Sequence, residues 1–212
     1  MDQTLIIIFQ IIILVLSAIA HEVAHGFAAL AYGDKTALYQ GRLSMNPLVH
    51  IDMVGTIIVP LLLVILKSPI GFGWAKPVPY NPLNFTNYKK GTRVVAVAGV
   101  LTNFALALLF GLILRFFGGA LAPSAAFILY LIVLTNLSLG IFNLVPIPPL
   151  DGAKILFSFL PGRFEKYQVV LERNGFFIVF GLLLVMNFLH LDPITTSVVF
   201  LFTLITGVPL NF

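Results

Sequence analysis

The chain has 212 residues, 59% of them apolar and only 9% charged, with a net charge of +4 and a mean hydropathy of +1.06. So little charge cannot clothe a soluble globular domain, and a net charge this small is no signal for nucleic acid. The absence of cysteine excludes disulfides and thiolate metal sites. What remains is an all-α polytopic membrane protein, read as one membrane-embedded domain over residues 1–212, with a core at 4–152 and a C-terminal helical hairpin at 174–209.

The first apolar segment, 4–31, is too long for a signal-peptide core. Only Asp2 precedes it where a basic region should stand, so it reads as a retained helix. Within it lies His21-Glu22-Val23-Ala24-His25. Ionisable groups inside a membrane helix cost roughly 2.5 kcal/mol each at the least when charged, so three within five residues need a reason. On a helix, positions i and i+4 share a face about 6 Å apart along the axis, and two imidazoles so placed can grip one zinc ion. Glu22 lies beside the first, within reach of a water on the metal. This H-E-x-x-H pattern is the arrangement of zinc metallopeptidases. A polar cluster joining helices or a proton relay are the bland readings.

Next comes "GRLSMNPLVHIDMVGT" at 41–56, where His50 and Asp52 sit in a Pro-containing loop. They belong either to a cavity rim or transient metal site, or to capping and loop packing. Segment 53–66 is apolar but short and carries Pro60, so it reads as re-entrant or surface-lying rather than as a sixth span. The stretch 67–93 is broken by prolines and glycines. "WAKPVPYNP" within it reads as an irregular or β-hairpin region whose amides are available to another extended strand. Trp74, Tyr80 and Tyr88 there fit an interfacial aromatic belt. Spans follow at 94–117 and 126–146, then shorter ones at 174–190 and 194–209, for about five to six transmembrane helices in all.

Eleven of the twelve basic residues fall in two regions, Lys35 to Arg93 and Lys154 to Arg173; Arg115 stands apart. If both regions are cytoplasmic, the positive-inside rule places the N-terminus outside and the C-terminus inside, provided 53–66 makes no net crossing.

Zinc catalysis needs a third protein ligand and one open position. Asp2, Asp192 and His190 fall at the outer side, and Glu165 and Glu172 sit in a solvated connection. Asp34, His50, Asp52 and Asp151 remain. Asp151 stands out because "NLVPIPPLDG" at 143–152 breaks a membrane helix with three prolines and turns at Gly152. Broken backbone in a membrane is tolerated where it is buried or lines a water-filled cavity. Glu22 lies about 14 Å from the cytoplasmic end of its helix, and Asp151 lies near the same end of its own, so the two can meet if both helices run inward. Asn143 faces that presumed site, either to orient substrate or an oxyanion or to satisfy a freed carbonyl.

"HEVAH" at 21–25 with Asn143, Pro146, Pro148, Asp151 and Gly152 at 143–152 resembles the site-2 protease family of intramembrane zinc metallopeptidases. The 41–56 stretch is similar to a small prokaryotic subgroup, and Gly71-Phe72-Gly73 to a family Gly-x-Gly beside the active site. The resemblance implies Zn2+ held by His21, His25 and Asp151, Glu22 as general base, and substrate against residues 71–80. It implies a minimal core without PDZ or nucleotide-sensing domain, in a prokaryotic plasma membrane with its site toward the cytoplasm, cleaving membrane-anchored proteins. The family's G-P-x-x-N reads Gly99-Val100-Leu101-Thr102-Asn103 here, so Asn103 remains as polar lining without its proline. The rival classes are an ion transporter, which would show paired broken helices in related halves, and a helix-binding protein pinned by structural zinc. Neither substrate identity nor oligomeric state is legible.

Overall fold

The computed structural model describes residues 2–58, 61–62, 65, 76–189 and 192–210, without the side chains of 54, 56, 57, 165, 176 and 187. The described residues hold seven α-helices and no β-strand: α1 (Gln3–Ala31), α2 (Thr36–Tyr39), α3 (Tyr88–Phe117), α4 (Pro123–Leu144), α5 (Asp151–Phe159), α6 (Glu165–Phe188) and α7 (Pro193–Thr206). Single turns of tighter or wider helix lie at Pro47–His50, Met53–Ile58 and Pro82–Asn84.

Local signals set the helix ends. Asp2 caps α1 by accepting from Thr4 N–H, and Asn87 caps α3 by accepting from Lys90 N–H at 3.0 Å. That cap starts α3 six residues before the span read from hydropathy, converting Tyr88 to Arg93 from loop to helix. Pro123 and Pro193 open α4 and α7, where a missing N–H costs nothing.

Three helices, α1, α3 with its 3-10 extension, and α4, are long and apolar enough to cross a bilayer. Leu5, Ile7, Ile8, Ile11 and Ile12 of α1 are all exposed, as are Leu101, Leu108, Leu109 and Phe116 of α3. Apolar surface on this scale faces lipid in an integral membrane protein. Between such helices there is no hydrophobic drive, and close packing of small residues takes its place. A side chain added at Gly111 would strike Ile205 of α7, and one at Gly140 of α4 would meet the Phe104 ring at 3.2 Å.

The contacts fix the relative directions. His25 of α1 meets Val95 near the start of α3, and His21, one turn earlier, meets Asn103 further along it, so α1 runs antiparallel to α3. α4 returns antiparallel after the Gly118–Ala120 turn. α7 packs through Val198 and Phe202 on Ala107, Val133 and Leu137, and Arg115 donates to the carbonyls of Leu204 (2.9 Å) and Ile205.

This corrects one expectation. α7 ends beside the end of α3, opposite Asp151, rather than running back toward it. The physical reason is length: fourteen residues reach about 21 Å, short of a ~30 Å hydrocarbon core. α6 is also bent by 71° between 162–175 and 177–186; among the described residues, counting that bent pair as one gives up to four helices long and apolar enough to cross. Segment 53–66 is described only in part, and 67–75, with Gly71, Gly73 and Trp74, lies outside the described residues.

Asp34, weighed above as a metal ligand, is instead a buried knot at the end of α1. Its carboxylate accepts from Thr36 N–H (3.1 Å) and Oγ1 (2.5 Å), Asn81 N–H (2.7 Å) and Asn84 Nδ2 (2.8 Å). Burial raises its pKa, but these donors outweigh it and hold the group below the usual carboxylate value. A depressed pKa contributes stability that is present above the unfolded value, ~3.9, and lost as pH falls through the folded one. Asp34→Ala should cost about 1–3 kcal/mol by leaving buried donors unpaired. The difference in thermal midpoint from wild type, measured in detergent at neutral pH, should shrink on acidification below pH ~4.

Candidate active site

α1 enters with no helix breaker from Gln3 to Gly26, so the 3.6-residue repeat puts His21 and His25 on one face; both are buried. Their rings meet edge to face with centroids 4.5 Å apart. α3 closes on them because residue 99 is glycine: a side chain there would meet His25 Cε1 at 2.5 Å and His21 Nε2 at 2.6 Å.

Asp151 arrives from the other half of the chain. α4 stops at Leu144, the proline-rich 145–150 segment turns, and α5 begins at Asp151. Gly152 is packed directly on the carbonyls of Leu144 and Val145, an approach that a side chain would block. The carboxylate thereby sits in the first turn of α5, where the helix dipole favours a negative charge. Its Oδ2 lies 3.0 Å from Nε2 of His21 and 3.0 Å from Nε2 of His25, and its Oδ1 accepts from Lys154 Nζ at 3.2 Å.

The donor set fits a metal cation on its own chemistry. His25 Nδ1 faces the Val95 carbonyl at 2.7 Å, and a carbonyl can only accept, so Nδ1 carries the proton and Nε2 of the neutral ring is bare. His21 Nδ1 faces Asn103 Oδ1 at 2.5 Å, with the same consequence. Two lone pairs and a carboxylate oxygen thus converge with no proton between them, a grouping that a divalent cation satisfies. One ligand atom each of His21, Glu22 and His25 lies within 4.8 Å of the others.

Glu22 is half-buried, and its Oε2 accepts from Val78 N–H at 2.9 Å. Val78 belongs to extended backbone at 76–81, which Arg42 holds by donating to the carbonyls of Val49, Lys76 (2.8 Å) and Pro77 (3.1 Å). Three of the four amide N–H groups at 76–81 are committed within the fold. Lys76 N–H goes to His50 O (2.8 Å), Val78 to Glu22, Asn81 to Asp34, and Pro77 and Pro79 have none. Glu22, Pro77, Val78 and Tyr80 line a cavity of about 640 Å³ with His21, His25, Asp151, Lys154 and Asn143, walled on one side by Gln168 and Glu172 of α6.

The remaining candidates sort themselves. Asn143 lines the cavity while its Nδ2 donates to Leu139 O at 2.9 Å. Asn103 does not line it: it is fully buried behind His21, with its Oδ1 against His21 Nδ1. His50 Nε2 donates to Ser44 O (2.8 Å) and Asp52 Oδ1 accepts from Gly55 N–H (2.7 Å), both within their own loop. Tyr80 lies under Lys154, 5.6 Å from ring centre to Nζ, and lines the cavity. Asn136, Ser17 and Lys154 were missed by motif spacing. Asn136 was legible as a polar residue on an apolar helix seven positions before Asn143, hence on the same face.

The profile described as peptidase family M50 matches residues 118–186, which include Asp151. YwhC of Bacillus subtilis (strain 168), provisionally named a zinc metalloprotease, is 37% identical over 184 residues, covering 84% of this chain and 80% of the relative. Rip2 of Mycolicibacterium smegmatis, named in the same way, is 31% identical over 170 residues, 80% of this chain and 64% of its own. The zinc metalloprotease MJ0392 of Methanocaldococcus jannaschii is 27% identical over 154 residues, 72% of this chain but 34% of its own. No solved structure matches. With a relative of this identity aligned over most of both chains, the protein belongs to peptidase family M50 and is a membrane-embedded zinc metalloprotease.

Proposed function

We propose that the protein hydrolyses peptide bonds of membrane-anchored proteins at a zinc site formed by His21, His25 and Asp151, with Glu22 as general base. The observation that carries this reading is the convergence of two bare imidazole nitrogens and one carboxylate oxygen, from elements 130 residues apart, on the wall of a cavity. Zinc held there supplies Lewis acidity, lowering the pKa of water toward ~7 and polarising a carbonyl.

The chain's own residues do the rest. Glu22 takes a proton from the attacking water at its free carboxylate oxygen and later gives it to the leaving amine. Lys154 neutralises Asp151 from the side away from the histidines. Asn143 presents an amide to the cavity where an oxyanion or substrate carbonyl would lie. A helical substrate hides its peptide bonds, so it must unwind to enter. With the donors of Lys76, Val78 and Asn81 committed, strand addition at 76–81 runs through carbonyls such as those of Val78 and Tyr80. The N-terminus lies outside and the cavity faces the cytoplasm of a prokaryotic plasma membrane, because the basic residues cluster at the Asp34 end of the bundle.

Purified wild type should carry about one zinc per chain, held by three protein ligands with the fourth position open, as in catalytic zinc sites generally. Metal analysis of His21→Ala and Asp151→Asn should show loss in both; zinc unchanged in Asp151→Asn would break the three-ligand set. Glu22→Gln should keep its zinc and lose at least about 100-fold in cleavage of a single-span peptide with Gly-Pro near its centre. Full turnover by Glu22→Gln would refute the base assignment.

A further inference from the structure

Behind His21 a chain of side-chain amides crosses the bundle. Asn103 Nδ2 donates to Asn136 Oδ1 at 3.0 Å, and Asn136 Nδ2 donates to Ser17 Oγ at 2.9 Å and to Ile132 O at 2.9 Å. Asn103 and Asn136 are fully buried and Ser17 nearly so. An amide has one acceptor end and one donor end, so fixing either end fixes both. The Ile132 carbonyl can only accept. It therefore fixes which end of Asn136 is nitrogen, which leaves Oδ1 to accept from Asn103. Asn103 must then turn its own oxygen toward His21 Nδ1, the atom at 2.5 Å.

We propose that Asn136 is a positioning residue for the metal site: through Asn103, and with no contact to the site itself, it dictates which nitrogen of His21 carries the proton. The direction is set by a helix carbonyl four residues back. The inference rests on the zinc reading above and adds a reason for metal selectivity over the empty state. With the relay intact, His21 Nε2 is bare and opposes the Asp151 carboxylate at 3.0 Å, an arrangement the neutral site cannot satisfy by itself. If Asn103 were free to turn over, its NH2 would donate to His21 Nδ1. The proton would move to Nε2, and Nε2–H would donate to Asp151. The site would then close on its own hydrogen bonds and compete with zinc. His25 needs no such device, because its partner is the Val95 carbonyl itself.

The test uses full-length protein in detergent, with wild type beside Asn136→Leu, Asn136→Asp and Ser17→Ala. Asn136→Asp is read by zinc affinity alone, on the acidic side of neutral, where a protonated aspartic acid at 136 keeps the polarity, accepting from Asn103 and donating to Ile132 O. Ser17→Ala removes a buried partner but leaves the Ile132 anchor. Two readouts are taken: zinc affinity by chelator competition, and the 15N shifts of the His21 ring in metal-free protein at alkaline pH, assigned by difference from His21→Ala. Asn136→Leu should weaken zinc by about 10–100-fold and move the proton from Nδ1 toward Nε2, while Ser17→Ala matches wild type in both readouts and Asn136→Asp matches it in zinc affinity. Asn136→Ala is read in the same way if the leucine variant does not fold. A wild-type tautomer and affinity in Asn136→Leu, or equal losses in all three variants, would overturn the proposal. Absence of zinc from wild type itself would instead remove the zinc reading on which it stands.

Discussion

Oδ2 of Asp151 faces two imidazole nitrogens at once, and the architecture follows from making that meeting possible inside a membrane. Charge and bare lone pairs are expensive in hydrocarbon unless matched. Each group therefore arrives already committed on its far side: His25 to a carbonyl, His21 to an amide, Asp151 to an ammonium. α1 and α3 must run antiparallel for His25 to reach Val95, and Gly99 must lack a side chain for the two helices to close. α4 must break before α5, with Gly152 seated on its last carbonyls, for the carboxylate to enter at this depth.

The chemistry was legible in the sequence because it is local. Two histidines at i and i+4 share a face wherever the helix lies, and three prolines end a helix in any context. A depth argument on charges and helix directions let Glu22 and Asp151 meet, while the joining of His21, His25 and Asp151 into one set came from the family resemblance. What was not legible depends on contacts between distant segments. Asp34, His50 and Asp52 were equal candidates on paper; their partners at Asn81, Ser44 and Gly55 fix their places in the fold. Asn103 was read as cavity lining, but only the rotation of α3 decides that it stands behind His21. The extended 76–81 backbone was recognised, yet the amides of Lys76, Val78 and Asn81 are taken by His50, Glu22 and Asp34.

The C-terminal third shows a different limit. Hydropathy marks apolar segments but does not say whether each crosses. α7 enters beside the middle of α4 and ends where Arg115 meets its last carbonyls. Arg115, the one basic residue outside the two clusters, is thereby accounted for as a cap on a helix terminus, where positive charge is favoured. α6 touches the site's scaffold directly: a side chain at Gly175, near its bend, would strike the backbone of Pro148 and Pro149. The segment delivering Asp151 is thus held between α4 on one side and α6 on the other.

The amide chain from His21 to Ser17 also has an electrical meaning. An enzyme that admits water halfway into a bilayer risks opening a proton path through the other half. Here the cavity is lined on α1 from His21 onward and on α3 only up to Thr92. Directly behind His21 the chain consists of two carboxamides and one hydroxyl, all buried. A carboxamide can orient a neighbour, but unlike imidazole or carboxyl it does not readily take up a proton on one side and release it on the other. The same residues that hold the ring in place therefore place no imidazole or carboxyl directly behind it to carry a proton onward.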